Sequence, residues 1–343
     1  MSCLPETWVC YMTVASNHIQ HFNALRIGAT AGHVLSCSSG AGKVFAIVSN
    51  CIYLVEPDDQ LFWMVNESVP MHARSIQLAG ELPDLLPGDP FQVKGRALAF
   101  PAGIWVNAAN ADAWKPHELP SDCRFTPNEI YKKSRRLYSH LLGIPRTGFG
   151  RFIEHILALA GRGNLPGTPQ FSDDVLQSAW LAVLAIAQAS ICRDLVAILP
   201  QMKNMVGLGE GLTPSGDDFL GGLFFGLHAL NELSLIEPGL DMDIVEKELG
   251  LIADRTNLIS STVLKDLVRG QGLETIHDLF RLLVAEESSE PAFQVARRLA
   301  SIGHSTGWDV MTGLLVGLLW TRQKTDRFAQ GAPQMEMIGR ISL

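Results

Sequence analysis

The sequence predicts an α+β fold: an N-terminal antiparallel β-rich domain, a barrel or a sandwich, followed by a mostly α-helical domain. Two observations predict it. Up to about residue 125, short runs rich in β-branched and aromatic residues alternate with Gly, Pro, Asn and Asp turns. Beyond that point, apolar residues recur at helical spacing over longer stretches. We therefore expect a β-rich domain over 1–125 and a helical domain over 126–343.

Each predicted strand lies between turn residues such as Pro87-Gly88-Asp89-Pro90. The predicted strands are 25–36, 43–55, 61–66, 74–79, 91–93, 96–100 and 104–108. Each predicted helix begins near a capping residue or proline and ends near a glycine or a polar junction, as at Pro127 and Gly270. The predicted helices are 128–142, 149–161, 172–190, 192–204, 217–234, 241–255, 258–269, 273–286, 291–302 and 307–322.

The composition bounds the class of protein. Of the 343 residues, 47% are hydrophobic and 18% charged, which is typical of a chain with a large core and not of a disordered one. The net charge is −8 with no basic run, so nucleic acid and anionic membrane surfaces are not expected partners. The apolar stretches 219–230 and 310–320 are shorter than the roughly 20 residues that span a bilayer, so we expect them in the core.

The six cysteines are scattered, without a Cys-x-x-Cys pair, and residues 1–17 lack a basic region followed by an apolar run. We therefore expect reduced thiols and a cytoplasmic protein.

Two stretches of the helical half repeat one pattern. Residues 215–227 read SGDDFLGGLFFGL and residues 306–318 read TGWDVMTGLLVGL. Both place a hydroxyl residue, then glycine, then an aspartate at the start of an apolar helix with glycines four apart. The pattern predicts two equivalent helices, capped by Ser215 and Thr306, that pack closely through their glycines. The pattern pairs Asp218 with Asp309 and Ser215 with Thr306, and it brings these four polar groups together at one end of the helix pair.

The loop GLGEGLTPSGDD at 207–218 is the first candidate site. Its glycines permit close backbone approach to a ligand, and the following helix N-terminus favours an anion by roughly 0.3–1 kcal/mol. A phosphate about 5 Å from a carboxylate is repelled by about 3 kcal/mol at an effective dielectric constant near 20. A phosphate here therefore requires Mg²⁺ on Asp217 or Asp218, or a cationic side chain such as Arg255 or His304, or it must face away from the carboxylates. The plainer alternative is simple helix capping by Ser215 and Asp218.

Two further loops carry polar clusters. In DRTNLISS at 254–261, Arg255 is suited to a carboxylate or phosphate, and Thr256 and Ser260 lie beside it; an ordinary helix junction is the alternative. In GHSTGWD at 303–309, His304 is suited to acid–base chemistry, with structural hydrogen bonding as the alternative.

The strings GLGEGLTPSGDDFLGG, RTNLISS and GHSTGWDVMTGLLVGL, in this order, resemble the AllH-like family, which includes a subunit of bacterial oxamate carbamoyltransferase. The resemblance covers roughly residues 200–320. Glu210 and Thr256-Asn257 depart from it, because the family more often has Pro at the first position and two threonines at the second.

The resemblance implies a subunit of a cytoplasmic enzyme of ureide (allantoin) breakdown, which works with other protein subunits. That enzyme transfers a carbamoyl group between carbamoyl phosphate and oxamate, with oxalurate as the carbamoylated partner. Residue chemistry then suggests Asp217, Asp218 and His304 as catalytic, with Mg²⁺ possible on the two aspartates. The expected substrate-binding residues are Gly209, Gly211, Thr213, Ser215, Gly216, Arg255, Thr256, Ser260, Ser305, Thr306 and Asp309.

Two alternatives stay open. One is a non-catalytic scaffold or anion-sensing subunit, in which the repeated helices form a core or an interface. The other is a stand-alone Mg²⁺-dependent phosphate enzyme.

Overall fold

The computed structural model describes residues 19–37, 40–57, 59–119, 125–162, 169–236, 241–285 and 290–323. The chain forms two compact units, Met1–Lys115 and Pro116–Leu343. The first unit is β-rich and the second is helical, which confirms the predicted α+β class. Of the six cysteines, Cys37, Cys51 and Cys192 are free thiols, and Cys3, Cys10 and Cys123 lie outside the described residues.

The first unit is a closed eight-stranded barrel with one strand added at its edge. Around the barrel the strands run β1-β5-β4-β3-β2-β6-β7-β8 and return to β1, and β9 pairs with β1. The pairs β1–β8, β4–β5 and β1–β9 are parallel and the other pairs are antiparallel. The elements are β1 Gln20–Gly28, α1 Ala29–Cys37, β2 Ala41–Val48, β3 Cys51–Val55, β4 Leu61–Asn66, β5 Ser75–Leu78, β6 Pro90–Val93, β7 Ala97–Ala99, β8 Ile104–Asn107 and β9 Asp112–Trp114.

Two predicted strands were wrong in extent. The strand predicted at 25–36 ends at Gly28 and continues as α1, because Thr30 and Ala31 donate their N–H groups to the Ala73 carbonyl and start a helix. A Cβ at Gly28 would lie 2.3 Å from the His72 carbonyl oxygen, so only glycine fits this turn. The strand predicted at 43–55 is a hairpin, in which the pair Val48–Cys51 closes a two-residue turn. β9 was not predicted.

The second unit is a helical bundle around one large apolar cluster. Its helices are α2 Pro127–Leu141, α3 Ile153–Arg162, α4 Asp174–Cys192, α5 Leu195–Met205, α6 Ser215–Glu232, α7 Met242–Gly250, α8 Leu258–Val268, α9 Glu274–Ala285, α10 Glu290–Ala300 and α11 Thr306–Leu318. Three predicted helices are shorter than expected, because their ends tighten into the 3₁₀ turns Gly148–Phe152, Ala253–Arg255 and Leu319–Thr321.

Helix α4 is long and apolar enough to cross a bilayer, with a mean hydropathy of 1.7 over its apolar window. Because 56% of that window is buried inside the protein, and core helices pass the same test, this is weak evidence for a membrane span.

The two repeated helices, α6 and α11, are buried almost throughout and pack backbone to backbone. A Cβ at Gly222 would lie 2.0 Å from the Val310 carbonyl oxygen, and a Cβ at Gly313 would lie 1.9 Å from the Phe219 carbonyl oxygen. These contacts exchange under the 91-residue offset of the repeat, so the two helices form a pseudo-symmetric pair. The predicted close packing through the glycines is therefore what the structure has.

We expect Gly313→Ala to lower the free energy of unfolding by roughly 1–3 kcal/mol, because the added methyl group forces the two helix backbones apart. Gly250→Ala is the matched control, since a Cβ there meets nothing within 4 Å at the end of α7. It is expected to be neutral or to stabilise by up to about 1 kcal/mol. Urea unfolding checks both; equal effects at the two sites would contradict the packing argument.

Candidate functional site

The N-termini of α6 and α11 lie side by side and form one polar cluster, which we call the carboxylate ring. Its members are Thr213, Ser215, Asp218, Ser305, Thr306 and Asp309. The Thr213 and Thr306 hydroxyl oxygens are 3.1 Å apart, and those of Ser215 and Ser305 are 3.4 Å apart. Asp218 and Asp309 are 3% and 0% exposed. The two helix starts converge as predicted, and the two carboxylates between them are buried.

The hydrogen bonds of the ring cross from one helix to the other. The Thr213 hydroxyl bonds that of Thr306, and the Ser215 hydroxyl bonds that of Ser305. The Thr213 and Thr306 hydroxyls lower the pKa of Asp218, and the Ser215 and Ser305 hydroxyls lower that of Asp309. Thr306 and Ser215 are the first residues of the opposite helices, so each helix acts on the carboxyl of the other.

The predicted capping by Ser215 and Thr306 was wrong. Pro214 and Ser305 occupy the cap positions, and neither makes a side-chain cap bond. Ser215 and Thr306 each lie one residue further along, inside their helices. Their hydroxyls therefore serve the neighbouring helix and not their own.

A segment that was not predicted closes one side of the ring. The Phe149 N–H donates to Asp309 Oδ1 at 2.6 Å, and the Thr147 hydroxyl donates to the His304 carbonyl at 2.7 Å. Gly148 has φ +47°, and a Cβ there would lie 2.3 Å from Asp309 Oδ1. Residues 147–149 lie some 160 positions from Asp309 and outside the repeat; the only sequence signal was the pair Gly148 and Gly150.

One oxygen of each ring carboxylate has no partner. Asp218 Oδ2 and Asp309 Oδ2 are buried and make no hydrogen bond within the described part of the chain. Burial holds the pKa of Asp218 well above its usual range; the charge of Asp309 and, less strongly, that of Asp217 raise it further, while the Thr213 and Thr306 hydroxyls oppose the rise. Burial also raises the pKa of Asp309 to about 6, against the lowering effects of the Phe149 N–H, the two serine hydroxyls and His304.

Asp217 has a different environment although it precedes Asp218. Its Oδ1 accepts the Gly207 N–H at 2.8 Å, and its Oδ2 accepts the hydroxyls of Thr256 and Ser260 at 2.5 and 2.6 Å. These bonds tie α6 to the glycine loop and to the start of α8, and they occupy the oxygens on which Mg²⁺ was expected. Among the described residues there is no group of three or more His, Cys, Asp or Glu arranged to hold a metal ion.

The remaining predicted site residues surround the ring or lie apart from it. Gly209 lies against the ring, because a Cβ there would be 2.8 Å from the Ser215 nitrogen, whereas Gly211 faces open space. Gly216 packs on the Met205 carbonyl. His304 is exposed, and its charge reaches Asp309. Arg255 is exposed, and its carbonyl lies against Gly207 on the Asp217 side.

A small cavity lies beside Thr256, lined by Val206, Leu249, Ala253, Thr256, Ser261, Leu264 and Lys265. None of these residues belongs to the carboxylate ring.

We expect Asp217→Ala to lower the free energy of unfolding by about 3 kcal/mol, because it leaves three donors without their carboxylate acceptor. Urea unfolding measures the loss, and amide hydrogen exchange at Gly207 should accelerate. Asp243→Asn, an exposed acid on α7, is the control. Unchanged exchange at Gly207 would contradict the tie between Asp217 and the loop.

We expect the stability advantage of wild type over Asp309→Asn to fall as pH rises from about 4 to about 6. In this window the folded protein holds the Asp309 proton more tightly than the unfolded chain, so raising the pH favours unfolding. The difference should fall by roughly 3 kcal/mol in total. Urea unfolding of both proteins across this range measures it, and a difference independent of pH would show that Asp309 is not perturbed.

One known protein family matches the part of the chain that holds the carboxylate ring. Residues 205–318, about a third of the chain, match the family described as oxamate carbamoyltransferase subunit AllH. This segment begins at the end of α5 and ends with α11, so it contains every residue of the carboxylate ring. No solved structure matches the chain. Segment 205–318 is therefore similar to the AllH family over the part of the chain that holds the carboxylate ring.

Proposed function

We propose that this chain is a subunit of a cytoplasmic carbamoyltransferase that acts on oxamate and oxalurate with carbamoyl phosphate in ureide (allantoin) breakdown, together with other protein subunits. The family description supplies the reaction class. The observation that supports the proposed site is the carboxylate ring, where two buried carboxylates each have one oxygen that no described residue hydrogen-bonds. Buried unsatisfied groups are rare in stable folds and concentrate at functional sites.

In the catabolic direction the reaction is a phosphorolysis. A phosphate oxygen forms a bond to the carbamoyl carbon of oxalurate, and the bond from that carbon to the oxamate nitrogen breaks. The nitrogen leaves with the electron pair and takes up a proton, which gives oxamate and carbamoyl phosphate. The reaction therefore needs a proton donor at the leaving nitrogen and a binding site for two anionic groups.

Asp218 is the residue that we assign as proton donor. Burial and the neighbouring Asp309 raise the pKa of its carboxyl, which favours the protonated form that a proton donor needs. Asp217 accepts three hydrogen bonds, and we assign it to holding the glycine loop in place.

The anionic ends of the substrates belong outside the ring. A phosphate about 5 Å from an ionised Asp309 would be repelled by about 3 kcal/mol at an effective dielectric constant near 20. Arg255 and His304 are exposed cationic or proton-carrying groups on the two loops beside the ring, and we assign them to the phosphate and the substrate carboxylate.

The test is carbamoyl transfer to oxamate by the chain purified with its partner subunits. We expect Asp218→Asn to lower kcat by roughly 100-fold or more, because it removes the proton donor, and to change KM much less. Asp243→Asn controls for the loss of one acid. Undiminished transfer by folded Asp218→Asn would remove Asp218 from the mechanism, and would favour the scaffold alternative.

A further inference from the structure

The two unpartnered oxygens of the carboxylate ring are built into it symmetrically. Asp218 and Asp309 are equivalent under the repeat and both are buried, and Asp309 Oδ1 accepts the Phe149 N–H. Within the described residues, Oδ2 of each has no hydrogen-bond partner. The same unpartnered oxygen in two equivalent residues is not explained by packing at either one of them.

Charge limits what the ring can hold. Two carboxylates beside each other in a buried site cannot both be ionised unless a cation joins them, so one of them keeps a proton. Asp309 is the ionised member, because its Oδ1 accepts the Phe149 N–H at 2.6 Å. Asp218 accepts no backbone N–H from the described residues, and the charge of Asp309 together with burial raises its pKa, so Asp218 is the protonated member. The other titratable groups that act on the pair are Asp217 and His304. The ring thus offers one strong acceptor and one O–H donor.

We propose that the carboxylate ring binds the unsubstituted carbamoyl end, –CO–NH₂, of the substrate, with Asp309 accepting from the NH₂ group and Asp218 donating to the carbonyl oxygen. This deepens the proposed function and rests on it. A primary carboxamide carries both a donor and an acceptor. A carboxylate or phosphate offers acceptors alone and would be repelled by Asp309, whereas an ammonium group would leave the Asp218 O–H without an acceptor.

Access to the ring depends on glycine turns. Gly148, Gly209 and Gly303 all have positive φ, and each lies against a ring residue, namely Asp309, Ser215 and Thr306. The two free oxygens are covered, so a carbamoyl group reaches them only when one of these turns moves aside. The turn at Gly209 is suited to this, because it is half-exposed and Gly211 beside it borders open space.

The experiment compares three small acids of one skeleton, oxamate, pyruvate and oxalate, by calorimetric titration of the full-length chain near neutral pH. Oxamate has NH₂ where pyruvate has CH₃ and oxalate has O⁻. We expect oxamate to bind about ten- to a hundredfold more tightly than either, the value of one hydrogen bond to a charged group. Asp309→Asn should abolish this preference, because its amide group turns N–H donors toward the ligand NH₂.

The Asp218 O–H has two roles in succession: it donates to the carbonyl oxygen of the bound substrate, and its proton passes to the leaving nitrogen during transfer. Asp218→Asn separates these two roles. An asparagine still donates to the carbonyl oxygen, so oxamate affinity should stay within a few-fold of wild type while carbamoyl transfer is lost. Asp243→Asn should bind as wild type does. Thermal unfolding confirms that each variant is folded; if Asp309→Asn is not, the affinity of Asp218→Asn and the ligand preference of wild type remain as tests.

Four results would overturn the inference: equal affinity for oxamate and pyruvate, an unchanged preference in Asp309→Asn, no saturable oxamate binding in the millimolar range, or a stabilisation by Mg²⁺ alone that both asparagine variants lose. The last would make the ring a cation site. If the chain prefers oxamate but the assembled enzyme does not transfer the carbamoyl group, only the proposed function is overturned. If the enzyme transfers the carbamoyl group but the chain does not prefer oxamate, only this inference is overturned.

Discussion

The contact between the backbones of α6 and α11 is the constraint on which the rest of the site depends. Gly222 and Gly313 let each helix lie against a carbonyl of the other. This closeness brings the two N-termini within hydroxyl–carboxylate distance, which helices separated by ordinary side chains would not reach. The hydroxyl pairs Thr213–Thr306 and Ser215–Ser305 then follow from the fold, beside the two carboxyls. The apolar bundle supports this pair, because both helices are surrounded by its core.

Asp217 and Asp218 show how environment separates two neighbouring acids. Both lie in the first turn of α6, where the helix dipole favours negative charge. Asp217 accepts the Gly207 N–H and the hydroxyls of Thr256, just before α8, and Ser260 within it. Asp218 faces the opposite helix and the like charge of Asp309, and one of its oxygens has no donor among the described residues. A chain selected for stability alone would replace such an acid, so its presence points to use.

The sequence predicted those parts of the fold and the site that depend on local residue patterns or on the internal repeat. The repeat identified the pairs Asp218–Asp309 and Ser215–Thr306, because the same pattern occurs twice in the chain. The repeat did not predict the role of the Ser215 and Thr306 hydroxyls, because a Ser or Thr near a helix start is usually interpreted as its cap. Only the observed cap position at Pro214 excludes that role for Ser215. Phe149 was missed because it contacts Asp309 through its backbone N–H, a group that every residue type except proline has. The Asp217 network was missed for a similar reason, since Thr256 and Ser260 read as substrate ligands until their partner is seen.

The two halves of the site are equivalent only at the carboxylate ring. The residues on its two flanks differ, and this asymmetry affects which ligand the site can orient. At the position of Asp217 in the first helix, the second helix has Trp308. Asp217 binds the start of α8, whereas the buried ring of Trp308 lies against Gly150 in the turn before α3. One flank is therefore polar and leads to Arg255, and the other is apolar and lies on the side of Phe149. A site with a symmetric centre and unlike flanks orients a ligand whose two ends differ. Oxalurate and oxamate are ligands of this kind, since each has a carbamoyl or carboxamide end and a carboxylate end.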